Sequence, residues 1–160
     1  MSDSAVFMAP IPTSPAVPPL ISRLVDEFDA HWIDSANLDA WLADGGECWL
    51  LLCGDPVRHP ESLDVAVVLP ELRREVARRH GRHVRIGVVQ RSEEETIAAR
   101  FALRRWPTLV WLRDGGYVTV LDGMHDWDDY LRLAEQALNQ SNARIALLNT
   151  TDHPVTGGCQ

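Results

Sequence analysis

Arg104-Arg105-Trp106-Pro107-Thr108-Leu109-Val110-Trp111-Leu112 is the stretch whose reading decides the fold. Thr108 to Leu112 is an apolar run without helical spacing, so it reads as a core strand. Asp114-Gly115-Gly116 then offers the positive-φ positions that return the chain as a hairpin through Tyr117 to Leu121. Pro107 has no N–H to give to a strand ladder, which places it at the strand's entry.

Working outward, 160 residues that are 46% hydrophobic, with six tryptophans, suit one α/β domain with a full core. The formal net charge is −8, and every basic side chain is Arg, since the chain has no Lys. That balance disfavours a surface that tracks phosphates, so no nucleic acid is expected, and it suits a positively charged partner. No run of about 18 apolar residues occurs, which excludes membrane insertion by a helix and makes a cytoplasmic location the simplest reading. Residues 1–19 hold five of the ten prolines and read as a disordered Pro-rich lead-in. The domain is expected over 20–138, followed by a polar tail over 139–160 with one apolar patch at Ile145 to Leu148.

Between these tails helices and strands alternate. Leu20 to Glu27 reads as a helix, and His31-Trp32-Ile33 as a brief strand. Ser35 is expected to cap a helix carrying Leu38, Trp41 and Leu42, which stops at Gly45-Gly46. Trp49 to Leu52 is a buried strand ended by Gly54-Asp55-Pro56, whose turn chemistry opens a loop to about Glu61. A long helix follows, capped by Ser62 or Asp64, with Val65, Val68, Leu69, Leu72 and Val76 on one face, a kink at Pro70 and its end at Gly81. Val84 to Val89 is a strand, and Ser92-Glu93-Glu94-Glu95 reads as a capping box for a helix that turns Ile97, Ala98 and Phe101 inward. Asp126 is expected to cap a last helix with Trp127, Tyr130, Leu131, Ala134 and Leu138 on its inner face. The sum is a mixed sheet, parallel in its first part, with an antiparallel edge.

Cys48, Cys53 and Cys159 form no C-x-x-C and no zinc-type spacing, so reduced thiols are expected. Cys48 and Cys53, five apart on one strand, should leave it on opposite faces and cannot pair. The six histidines include no i, i+4 helical pair, so neither a metal site nor a cofactor is expected.

Over Phe28 to Leu138 the chain resembles the thioredoxin family in its element order, the strand from Trp49 to Cys53, the helix proline Pro70 and the Trp106-Pro107-Thr108 segment. The resemblance implies a central mixed sheet with helices on both faces and a cis Trp106–Pro107 bond. Laying Pro70 on the family's helix proline puts Ser62 and Val65 where its two active cysteines stand. It also puts Leu52 in the place of its buried carboxylate, so dithiol exchange has no means here. Through Gly54-Asp55-Pro56-Val57-Arg58-His59-Pro60-Glu61 and Leu69-Pro70-Glu71-Leu72, the chain is more narrowly similar to the hydrogenase accessory proteins HyaE, HoxO and HupG. This implies a non-catalytic chaperone in the maturation of a membrane-bound nickel-iron hydrogenase. Its partner would be the small-subunit precursor with a twin-arginine signal peptide, and other maturation factors would be further partners.

The candidate partner-binding residues are Asp55, Glu61, Asp64, Trp106 and Pro107, at the edge where the dithiol would stand. Each has a plainer reading. Asp55 also suits an Asx turn, Asp64 a helix cap, Glu61 an ion pair with Arg104 or Arg105, and Trp106 loop packing. The alternative to a binding module is a single-thiol redox protein using Cys53. Its apolar setting, with no basic residue before Arg58, argues against a reactive thiolate.

Overall fold

The computed structural model describes residues 16–140. Most of the Pro-rich lead-in, most of the polar tail with its Ile145 to Leu148 patch, His153 and Cys159 lie outside the described residues. Helix α1 spans Pro19–Phe28 and starts one residue earlier than expected, because proline suits the first turn, where its missing N–H has no helical partner anyway. Strand β1 is His31–Ile33, helix α2 Leu38–Ala43 and strand β2 Glu47–Leu52. Helix α3 runs over Glu61–His80 and remains helical through Pro70. Gly81 ends it in the left-handed conformation that glycine adopts freely. Strand β3 is Val84–Val89, followed by a 3-10 turn at Arg91–Glu93 and helix α4 at Glu94–Arg100. Strands β4, Thr108–Arg113, and β5, Gly116–Asp122, form the hairpin, and helix α5 is Trp127–Asn139.

The five strands lie in the order β1-β3-β2-β4-β5. β1, β3 and β2 are parallel, while β4 pairs antiparallel with both β2 and β5. Side-chain alternation along β2 divides the core into two layers. Trp49, Leu51 and Cys53 pack with residues of α1, α3 and α5, whereas Cys48, Leu50 and Leu52 pack with those of α2 and α4. The two cysteines therefore leave on opposite faces, as the spacing requires. Within the first layer Trp49 and Trp111, cross-strand neighbours, meet edge to face with ring centroids 5.2 Å apart. The Trp111 Nε1–H donates to the buried Glu47 carboxylate at 2.6 Å, and the Arg113 guanidinium neutralises that carboxylate. The Trp106–Pro107 bond is cis.

Several expected helix starts differ in detail. Ser35 does not cap α2: its hydroxyl donates to Glu93, 58 residues away, and the turn before α2 is instead held by Asp34 Oδ1, which accepts from the N–H groups of Ala36 and Asn37. Ser62 and Asp64 are not caps, since α3 begins before both of them. Ser92-Glu93-Glu94-Glu95 forms no capping box, because Ser92 lies inside the 3-10 turn and Glu93, which makes no side-chain cap, stands at the N-cap of α4. Trp127 does not face inward but is 41% exposed, and α5 buries Tyr130, Ala134 and Ala137.

Candidate functional site

The site is built around the loop between β2 and α3, which leaves the sheet at the C-terminal ends of the parallel strands. Its first two residues are held by a group that local sequence reading missed. Glu94, at the start of α4, is 1% exposed and accepts the Cys53 N–H at 2.8 Å and the Gly54 N–H at 3.0 Å on Oε1. Arg91 Nη1 donates to its other oxygen at 2.9 Å. Burial nevertheless outweighs these donors and holds the Glu94 carboxyl above the ordinary range. The signal lay in the pattern of α4, because Glu94 shares a helical face with Ile97, Ala98 and Phe101, and a carboxylate on an apolar stripe requires a partner.

Gly54 has φ +72°, and a Cβ there would stand 2.8 Å from the Trp106 Cβ, so this glycine lets the loop lie directly on the Trp106 side chain. The loop separates two cavities. On one side, a largely apolar one of about 430 Å³ is walled by Val17, Ile21, Trp32, Cys53, Val57 and Val89, with Asp55, Arg91 and Glu94 also lining it. On the other, a groove of about 360 Å³ is lined by His59, Glu61, Arg104, Arg105, Trp106 and Asp122.

The five expected residues are thus only partly brought together. Glu61 and Trp106 share the groove, and Pro107 is buried at the entry to β4, its carbonyl accepting the Gly123 N–H at 2.8 Å. Asp55 lies across the loop, where its Oδ1 accepts the Val57 N–H at 2.9 Å, so the Asx-turn role is real. Asp64 is exposed on α3 and lines neither cavity. Glu61 forms no salt bridge with Arg104 or Arg105 among the described residues, although the three line one groove. The edge therefore carries both signs of charge.

Both described thiols are buried. Ser62 and Val65 are buried at the start of α3. Leu52 cannot stand in for an acid beside them, because it points to the opposite layer. Leu51 and Cys53 are the β2 residues on the α3 side. Burial pushes the Cys53 thiol far above its usual range and Glu94 adds to that, while burial lifts Cys48 to about 11 against the nearby Arg85. Among the described residues no group of three or more His, Cys, Asp or Glu is placed to hold a metal ion.

The family model described as "Hydrogenase-1 expression protein HyaE" matches residues 20–130. "Hydrogenase expression/formation protein HoxO" of Cupriavidus necator is 50% identical over 143 residues, covering 89% of this chain and 88% of that relative. "Hydrogenase expression/formation protein HupG" of Bradyrhizobium diazoefficiens is 33% identical over 126 residues, covering 76% of this chain and 82% of the relative. Among solved structures, a mutant thioredoxin from Halobacterium salinarum superposes with a TM-score of 0.53 at 18% identity, covering 70% of this chain and 93% of its own. That likeness speaks for the thioredoxin-like architecture alone. With a family model matching residues 20–130 and a relative identical at half of the aligned positions, the chain belongs to the HyaE family of hydrogenase expression proteins.

Proposed function

We propose that this protein is a non-catalytic chaperone in hydrogenase maturation, holding the small-subunit precursor of a membrane-bound nickel-iron enzyme with its twin-arginine signal peptide in the cytoplasm before export. The observation that carries this reading is the 50% identity to a hydrogenase expression/formation protein across nearly the whole chain. The buried, raised thiols of Cys48 and Cys53 support binding over redox exchange, because a thiol that stays protonated neither attacks nor is regenerated.

Docking is assigned to the edge where α3 begins. Trp106 supplies an apolar step, held by the buried Pro107 at the strand entry, and Glu61 and Asp64 offer carboxylates to guanidinium groups of an extended segment. Asp55 shapes the loop between the two cavities. Because Glu61 is only half-buried and Asp64 is exposed, each pair acts at the rim. Their loss weakens binding by about 0.5 to 1 kcal/mol, or about two- to fivefold, mainly at low salt.

The test is calorimetric titration of the signal segment into wild type, Glu61→Gln and Asp64→Asn, with circular dichroism confirming the fold. Undiminished affinity in both variants at low and physiological salt removes these carboxylates and leaves the Trp106 surface. Failure of the wild type to retain the precursor in a pull-down, with or without the signal peptide, sinks the reading as a whole.

A further inference from the structure

Nearly every arginine of the described residues sits in a salt bridge. Arg73, Arg104 and Arg105 do not. Water solvates the last two, which are exposed on the loop before β4. Arg73 differs, because it is half-buried on the middle of α3 and has neither a hydrogen bond nor a salt bridge among the described residues. Burial holds its guanidinium below the usual range, opposed only by Asp29 at longer reach. Asp29 attracts this half-buried cation without bonding to it, so the cost of its burial is only partly offset and its donors are left for an incoming anion.

The surroundings fit. Arg73 lines a groove of about 380 Å³ together with Phe28, Asp29, His31, Arg74 and His83. Arg85 also lines this groove, but its guanidinium is committed to the α2 side: it donates to the carbonyls of Trp41 and Gly45 at 3.0 and 2.7 Å and stacks over Trp41. Arg74 is shared with Glu71 at 3.5 Å, both side chains being well exposed. Asp29 is thus the one acid lining the groove, on a chain whose formal net charge is −8. The position is also open. β1 pairs with β3 only along Gly87–Val89, so the first half of β3 has no strand beside it there. This is the end of the parallel strands opposite the loop between β2 and α3.

We propose that this groove is a second docking surface, for a carboxylate-bearing segment of a partner protein, with Arg73 gripping the carboxylate. The guanidinium fork matches a carboxylate in two parallel hydrogen bonds. The Phe28 ring offers an apolar wall for a neighbouring side chain, and His31 and His83 add polar groups at the rim. A nucleic acid is disfavoured, because a polyanion meets the repulsion of the whole acidic surface, whereas one or two carboxylates on a segment meet the local field.

The experiment is nitrogen-15 NMR of the arginine Nε–H signals of the full chain. The probe is acetylated Glu-Leu-Glu amide, with Gln-Leu-Gln amide, inorganic phosphate and a short DNA strand as comparisons. The Arg73 signal is expected to move with Glu-Leu-Glu and not with Gln-Leu-Gln. Arg73→Gln should weaken that binding at least fivefold and Arg132→Gln should leave it unchanged. The thermal midpoint of Arg73→Gln should equal or exceed that of wild type, since no hydrogen bond or salt bridge is lost and relief from burial outweighs the lost attraction to Asp29. A still Arg73 signal, equal or tighter binding of phosphate or DNA, or a lowered midpoint in Arg73→Gln would each overturn the proposal.

Discussion

Glu94 shows how one side chain sets the geometry of the candidate site. Removing its carboxylate orphans the Cys53 and Gly54 N–H groups inside the fold, and buried donors without acceptors are expensive. Glu94→Leu should therefore cost about 2 to 4 kcal/mol in urea unfolding, and Glu94→Gln, which keeps an acceptor oxygen, clearly less. The pH dependence follows from the raised pKa of the folded state. Such a group contributes stability fully below its unfolded-state pKa and loses it as pH rises through the folded value. The stability of wild type relative to Glu94→Gln should thus fall on going from acid towards neutral pH, and a gap that widens instead would contradict the burial argument. This residue was legible only as an anomaly on a helical stripe, because its partners stand about forty positions earlier. Asp55, whose partner is two residues on, was readable directly as an Asx turn.

At the scale of elements, periodicity carried the reading well, since apolar spacing reports which face meets the core. It placed β2, α3, β3, and the β4–β5 hairpin close to where they stand. Helix starts were less legible for the same reason as Glu94: Ser35 and Glu93 prefer each other across 58 residues to the nearby backbone. Leu52 was laid on an acid's place by alignment, and only the pleat shows that it faces the α2 and α4 layer. Gly87 tests how tightly that layer is joined. A Cβ there would stand 2.7 Å from Ile33 Cγ1 and 3.0 Å from the Trp41 ring. Gly87→Ala should destabilise by about 1 to 3 kcal/mol, and hydrogen exchange should show β1 loosened more than the β4–β5 hairpin. Equal protection in β1 of variant and wild type would mean that the neighbours yield without strain.

At the scale of the whole molecule, the parallel strands separate the loop and its two cavities from the Arg73 groove, and both described thiols are buried, Cys53 against the wall of the apolar cavity. In a Cys159→Ser chain, a thiol reagent at pH 8 should find Cys48 and Cys53 slow in the native state and fast in denaturant. Rapid native labelling of Cys53 would revive a redox role. The fold class was legible because it rests on patterning spread over the chain. The site was legible only in part, because charge balance in a groove depends on loops that meet from different elements. The edge-to-face indoles of Trp49 and Trp111 have an optical consequence: two chromophores held at a fixed angle couple their electronic transitions, so a paired far-ultraviolet dichroic band reporting on the sheet interior is expected. Ligand contact at Trp106 leaves that band in place, whereas loss of sheet register erases it, so one spectrum separates occupancy from unfolding.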